Sequence, residues 1–185
     1  MEIAAAGGQA RQFAAMVSIK DYPAKSSPGL LDGVLSLPYA LTLSESFCFV
    51  DRQIALGRMG LSLRRLKAAD DDAFSLREEL AQARDDVGAG RAAYGEHHLS
   101  ILVRADDLRS LDVAVADVQS ALTEAGGVAV REDLNLEPAF WAQFPGNFKM
   151  IARKALISAA NFASFASFHN HALGQAEGAH WGPAV

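Results

Sequence analysis

The sequence predicts an α+β fold in which helices lie on one side of a mainly antiparallel sheet. Apolar residues alternate with polar ones over short stretches, as in half-buried strands, and recur every three or four residues in the stretches between them. The chain has 185 residues, of which 50% are hydrophobic and 21% are charged, and this composition is that of an ordinary globular protein. One domain is the default at this length, and two small ones are the alternative.

The first two strands are predicted to form a hairpin. A short apolar run at 2–5 is followed by Gly7-Gly8, and alternation resumes over 13–20. Because glycine tolerates positive φ angles, the glycine pair favours a tight turn between the strands. The buried side of the second strand is expected to carry Phe13, Ala15, Val17 and Ile19.

A short helix and a third strand are predicted before residue 51. Ser26 or Ser27 can cap the helix, and Pro28 suits its first position. The apolar stripe of this helix comprises Leu30, Leu31, Val34 and Leu35, and Pro38 ends it. The strand over 39–50 is expected to bury Tyr39, Leu41, Leu43, Phe47 and Phe49.

The tract over 51–88 is predicted to be a pair of helices inserted into the sheet domain. Its apolar stripe shifts by one residue near Ala69, where three aspartates at 70–72 can cap a second helix. One bent helix is the alternative. A continuous helix would be ~55 Å long at ~1.5 Å per residue, which is too long for a compact domain of this size. The tract must therefore fold back or reach another subunit.

A strand, a helix and a last strand complete the predicted sheet. The strand over 97–104 has Leu99, Ile101 and Val103 on one face, and 128–131 is the last strand. Between them, Asp106 or Asp107 caps a helix that Gly126-Gly127 ends. Its apolar stripe is Leu108, Leu111, Val115, Val118 and Leu122. Residues 1–133 are thus expected to form one α+β domain, for which a ferredoxin-like core is one arrangement.

Residues 134–185 are predicted to form an aromatic arm. Both tryptophans and six of the ten phenylalanines lie between 140 and 185. Pro138 can open a short helix through Phe144, and Ser158 can cap another that contains Phe162 and Phe165, while the rest is expected to be irregular. Because exposed rings make a sticky surface, we expect Trp141 to pack on this domain and Trp181 to dock on another.

Four ordered blocks in this arm resemble the segment that precedes the nucleotide-binding domain of the type IV secretion ATPases, the VirB/TrbE/CagE family. The blocks are Phe140, Trp141, Gln143, Pro145, Gly146 and Asn147; Ser158, Asn161 and Phe162; Phe168, His169 and Asn170; and His180, Trp181, Gly182 and Pro183. A looser resemblance covers 19–23, 95–100 and 131–133. We assign these residues a structural role, and none is expected to be catalytic, cofactor-binding or metal-binding.

The resemblance implies a non-catalytic N-terminal or central segment of such an ATPase. Oligomerisation and docking to the inner-membrane secretion channel are its expected roles. Its expected partners are other subunits in a hexamer, inner-membrane components of the channel and the protein's own ATPase domain, with no direct nucleic acid. The expected location is the cytoplasm, peripheral at the bacterial inner membrane. The sequence has no Gly-x-x-x-x-Gly-Lys-[Ser/Thr] loop, so ATP and Mg²⁺ would bind in a C-terminal domain that this chain lacks.

The residue patterns alone leave two other classes of function open. One is a freestanding ferredoxin-like regulatory or small-molecule-binding module. The other is a small enzyme that uses Glu96, His97 and His98 as acid-base groups, although no nucleophile or oxyanion motif accompanies them. Metal binding is disfavoured, because a zinc site usually needs four ligands and the sequence has a single cysteine, Cys48.

Charge and hydropathy restrict the partners. The net charge of -5 disfavours nucleic acid, although Arg58, Arg64, Arg65 and Lys67 form a local basic cluster that suits an acidic partner or simply a solvated helix face. The single cysteine is typical of a cytosolic protein. No run reaches the roughly 18 apolar residues that a membrane span needs.

Overall fold

A six-stranded antiparallel sheet forms the centre of the computed structural model, which describes residues 1–3, 11–68 and 74–166. The strands are β1 (Glu2–Ile3), β2 (Gln12–Asp21), β3 (Ala40–Phe49), β4 (Tyr94–Ala105), β5 (Val128–Arg131) and β6 (Ala155–Ser158). β4 pairs with β3 along one edge from Gly95 to Arg104. Two strands divide the other edge of β4: β2 pairs with residues 100–105 of β4, and β6 pairs with residues 94–97. β1 and β5 both pair with β2.

The helices fill the connections between these strands. They are α1 (Asp32–Leu35), α2 (Arg52–Ala68), α3 (Phe74–Gly88), α4 (Leu108–Glu124), α5 (Leu136–Ala142) and α6 (Ala159–Phe165), with a short 3-10 helix at Phe148–Met150. The α+β class and the antiparallel sheet are confirmed. The order β2-α1-β3-β4-α4-β5 follows the β-α-β-β-α-β order of a ferredoxin-like motif. α1 has a single turn, and α2 and α3 are inserted between β3 and β4.

The main core lies between one face of the sheet and α4. The predicted faces of β2 and β4 are confirmed, since Ala15, Val17 and Ile19 are buried with Leu99, Ile101 and Val103. The predicted stripe of α4 packs on them through Leu111, Val115, Val118 and Leu122, whereas Leu108 is exposed. The Asp107 carboxylate accepts a hydrogen bond from the Ser110 N–H and caps the helix, as predicted.

The opposite face of the sheet is covered in part by α5. Ala14, Met16 and Leu102 pack there against Ala139, with Leu136 and Phe140 at the margin. The expectation of helices on one side therefore holds for α1, α4 and α6, which contact the main core, while α5 lies on the other side. The two faces of the sheet present different residues to the helices, because alternate residues of a strand point in opposite directions.

α2 and α3 form an antiparallel helical hairpin, so the choice of two helices over one is confirmed. Ala55 and Met59 near the start of α2 pack on Val87 at the end of α3, which shows that the chain folds back. The expected break at 69–72 lies outside the described residues, as does the Gly7-Gly8 turn of the first hairpin. β1 and β2 nevertheless pair as that hairpin requires.

Three local predictions are wrong. Neither Ser26 nor Ser27 caps α1, because Gly29 has a φ of 89°, outside the helical region, and the helix begins only at Asp32. Leu35 and Phe49 were expected to be buried and are exposed, each lying at the last position of its element, where packing on the core ends.

The strand β6 differs from the prediction, which made 155–158 part of an irregular arm. It pairs with β4, and Ile157 and Phe165 enter the main core. The described part of the arm thus shares the sheet with the residues before it, and the boundary between 133 and 134 stays a prediction. Among the described residues, no helix is both long and apolar enough to cross a bilayer.

Candidate functional site

An exposed aromatic surface lies on α5 and the turn that follows it. The rings of Phe140, Trp141 and Phe144 contact one another, with centroids 5.3 to 5.7 Å apart. Trp141 is 45% exposed and Phe148 is 64% exposed. Phe144 and Met150 are also exposed. We call Trp141, Phe144, Phe148 and Met150 the aromatic surface.

The expected burial of Trp141 is wrong. α5 instead packs on the sheet through Ala139, with Phe140 partly buried beside it. Consecutive residues of a helix point about 100° apart, so the residue after Phe140 is turned toward solvent. The rings therefore cluster with one another while leaving part of their area open to another molecule or domain.

Hydrogen bonds fix the shape of this surface. Gln143 Nε2 donates to the Phe140 carbonyl oxygen over 3.0 Å, and Asn147 Nδ2 donates to the Trp141 carbonyl oxygen over 3.0 Å. The backbone N–H groups of Gln143 and Phe144 donate to the same two carbonyls, so the side chains reinforce the C-terminal end of α5. Gly146 has a φ of 94°, which a side chain would disfavour, so the Pro145-Gly146 turn is as predicted. The polar members of the first motif block, Gln143 and Asn147, thus form hydrogen bonds within this turn.

A partly buried ion pair anchors the segment after the turn. Arg153 Nε donates to Glu132 Oε1 over 2.5 Å, and Arg153 Nη2 donates to Glu132 Oε2 over 3.3 Å. Desolvation acts to raise the pKa of the Glu132 carboxyl, but hydrogen bonds from Arg153 and Ser18 hold it below its ordinary value. The sequence patterns did not reveal this pair, since its partners are 21 residues apart and only Glu132 lies in one of the family-like stretches.

A cavity of about 350 Å³ adjoins the aromatic surface at Phe148. Its other lining residues include Ser46, Cys48, Glu96, His98 and Lys154. Glu96 is held between Arg58, at 2.8 Å, and Lys154, at 3.5 Å. A hydrogen bond from Arg58 lowers the pKa of the Glu96 carboxyl, so the side chain is ionised and paired near neutral pH.

The histidines suggested as an acid-base pair lie on opposite faces of β4. His97 is fully buried, with Nδ1 2.9 Å from the Tyr22 hydroxyl and its ring against Phe162 and Phe165. Burial, and then the nearby His98, lower the pKa of His97 to about 4, so it is neutral near pH 7. His98 lines the cavity on the other face, and burial lowers its pKa also. The two rings therefore cannot act on one substrate.

The second motif block caps and packs α6. Ser158 Oγ accepts a hydrogen bond from the Asn161 N–H over 3.0 Å, and Phe162 stacks on Phe47 at 4.5 Å, so the predicted cap is confirmed. The remaining predicted residues lie outside the described part of the chain: Phe168, His169, Asn170, His180, Trp181, Gly182 and Pro183. Within the described ranges, no group of three or more His, Cys, Asp or Glu side chains could hold a metal ion.

Comparison with known proteins gives consistent matches along the chain. The model of the CagE, TrbE, VirB family, component of type IV transporter system, matches residues 3–153. The type IV secretion system protein virB4 of Bartonella henselae is 41% identical over 174 residues, which cover 94% of this chain and 22% of the relative. Protein virB4 of Rhizobium radiobacter is 39% identical over 91% of this chain and 21% of its own length. The type IV secretion system protein PtlC of Bordetella pertussis is 33% identical over 95% of this chain and 21% of its own length. The chain thus spans about a fifth of the length of these relatives.

Proposed function

Because this chain belongs to the CagE, TrbE, VirB family of type IV transporter components, we propose that it is a non-catalytic N-terminal or central segment of a type IV secretion ATPase. Its roles are oligomerisation and docking to the inner-membrane part of the secretion channel. ATP and Mg²⁺ bind in a part of the longer protein that this chain does not include. The protein works at the cytoplasmic face of the bacterial inner membrane, where its partners hold it.

The aromatic surface is the observation that supports docking. It exposes large rings that contribute strongly when a partner buries them. It is also fixed before any partner binds, because Gln143, Asn147 and the Glu132–Arg153 pair hold the turn and the segment after it. A preorganised surface loses less conformational entropy on binding than a mobile one.

The test uses the full-length protein in its secreting host. The double substitution Trp141→Ala and Phe144→Ala should abolish co-purification with inner-membrane channel components and lower secretion at least about tenfold, as expected when a binding hot spot is lost. Leu108→Ala with Val113→Ala, two exposed apolar residues of α4, is the matched control. If the double variant secretes and co-purifies as the control does, the aromatic surface is not a docking site.

The cavity beside Phe148 supports a second candidate, the small-molecule-binding module. His98 is nearly fully buried at its wall, and Lys154 and Ser46 offer polar contacts. The cavity is at the small end of ligand sites, which are usually about 300–1,000 Å³. A small-molecule screen read by protein thermal shift tests this candidate: hits that Ser46→Trp abolishes would favour it over a purely structural role.

A further inference from the structure

The α2–α3 hairpin carries opposite charges on its two sides. α2 has five basic residues and no acidic one. Ile54, Arg58, Leu61 and Arg65 recur at helical spacing and so form one stripe, which we call the basic stripe. Ile54 and Leu61 are exposed in it, and Arg58, Leu61 and Arg65 line a groove of about 380 Å³ between α2 and Leu156.

The other side of the hairpin has an acidic groove of about 710 Å³. α3 lines this groove with Glu78, Glu79 and Asp86, and five alanines, including Ala83, Ala93 and Ala159, also line it. Arg91 also lines this groove, but it is paired with Asp85 at 2.6 Å and Asp86 at 2.8 Å. Glu78 and Glu79 form no ion pair with any residue that the structure describes, so the rim of the groove keeps a net negative charge.

The two surfaces carry opposite charges. The small alanine side chains that line the groove let a helix approach closely, so that the apolar members of the stripe, Ile54 and Leu61, could be buried there. Arg65 would then face the carboxylates of the rim. Exposed ion pairs contribute little free energy, so burial of the apolar residues supplies affinity and the charges supply orientation.

We propose that the basic stripe of one copy of this chain docks into the acidic groove of the next copy. The stripe lies on α2 and the acidic residues of the groove lie on α3, so the contact joins two different surfaces. Such a contact is head-to-tail, and repeated head-to-tail contacts close a ring or extend a filament. The inference deepens the proposed oligomerisation by assigning its surface, and it does not depend on the aromatic surface.

Charge-reversal variants test the contact. One variant carries Arg65→Glu in the basic stripe, and another carries Glu79→Arg in the acidic groove. Arg109→Glu and Glu124→Arg, at exposed sites of α4, are the matched controls. Sedimentation and native mass spectrometry at protein concentrations up to about 1 mM measure association. We expect the wild type and both controls to form species larger than dimers at about 0.1 M salt and to associate more weakly at about 1 M salt, where charges are screened.

Each reversal variant alone should associate at least about tenfold more weakly than the wild type. An equal mixture of the two should recover association, because the native stripe of one variant fits the native groove of the other and the two reversed surfaces are again complementary. Recovery in the mixture also shows that neither variant has failed to fold.

The contrary results are distinct. If the wild type associates and the reversals have no effect, or if the mixture fails to recover, this surface is wrong while oligomerisation by the segment stands. Association that stops at a dimer overturns the head-to-tail geometry. A wild-type chain that stays monomeric under all these conditions overturns both this surface and the oligomerisation role of the segment, but leaves docking through the aromatic surface to its own test.

Discussion

Arg153 makes two hydrogen bonds to the carboxylate of Glu132, which is only 4% exposed. Arg153→Leu would remove the cation from that buried charge and leave it only neutral hydrogen-bond donors such as Ser18. The usual cost of about 3–5 kcal/mol for breaking a buried pair is reduced here, because the Arg153 side chain is 35% exposed, so we expect a loss of roughly 2 kcal/mol in unfolding free energy. Urea denaturation measures it. Glu132→Gln added to Arg153→Leu should recover part of the loss, and a double variant no better than the single one would contradict this account.

The Glu132–Arg153 pair also predicts how folding stability depends on pH. The folded-state pKa of Glu132 lies below its ordinary value, so the pair stabilises the fold above the unfolded pKa and loses this effect as pH falls through the folded pKa. The stability difference between wild type and Arg153→Leu should therefore be constant near neutral pH and shrink below about pH 4. A difference that grows on acidification would show that another group dominates.

Glu45 predicts the opposite dependence of folding stability on pH. Burial raises the pKa of its carboxyl to about 7, and its Oε1 atom has no hydrogen-bond partner among the described residues. The folded chain thus binds a proton that the unfolded chain releases, so this group makes stability fall from about pH 4.5 to pH 7. Glu45→Gln should be more stable than the wild type by at most roughly 2–3 kcal/mol at pH 8 and nearly equal to it at pH 4. Thermal unfolding across pH tests this, and equal stability of the two proteins at pH 8 would contradict it.

The buried stripe of α4 is tested by two matched substitutions. Val115 is 3% exposed at the centre of the stripe, so Val115→Asp buries an unpaired charge and should cost about 4 kcal/mol or more, enough to unfold the domain. Leu108→Asp makes the same chemical change at an exposed position of the first turn, and we expect less than about 1 kcal/mol. Circular dichroism and urea denaturation separate the two. A folded Val115→Asp protein would show that the packing face of α4 is assigned wrongly.

The exposure of Trp141 lowers the cost expected for its removal. Truncation of a fully buried ring to alanine costs about 3–5 kcal/mol. With 45% of the residue exposed, we expect Trp141→Ala to cost about 1–2 kcal/mol in the isolated chain, and Phe140→Ala to cost more, because Phe140 packs toward Met16 and Ala139. Chemical denaturation compares them. A larger loss at Trp141 than at Phe140 would show that α5 is turned the other way.

Nucleotide binding is expected to be negligible in this chain. The phosphate loop and its lysine are not in the sequence, so isothermal titration of the chain with Mg²⁺-ATP should give no dissociation constant near or below about 1 µM. The full-length protein is the positive control. Micromolar binding by the chain alone would place a nucleotide site in this segment and overturn its assignment as non-catalytic.

Prediction from sequence succeeded where one strong pattern decided the structure. The stripe of α4 was readable because this helix has one buried face over 17 residues. In β2 and β4, apolar residues occupy every second position on the face toward α4, although the opposite face is partly buried as well. β6 has four residues, and it is a strand because β4 offers it a free edge, which no local pattern can reveal. Trp141 was misplaced for a related reason: the direction that α5 faces depends on Ala139 and Phe140 meeting Met16, a contact between distant parts of the chain.

The position of β6 also has a mechanical consequence. β6 leads directly into α6, and it is bonded to β4, which is also bonded to β2 and β3. A pull applied to the chain beyond Phe165 would therefore enter the sheet at its central strand and be divided between two neighbours. A force on the C-terminal side of α6 would thus be transmitted through β6 to β4, and from β4 to both β2 and β3.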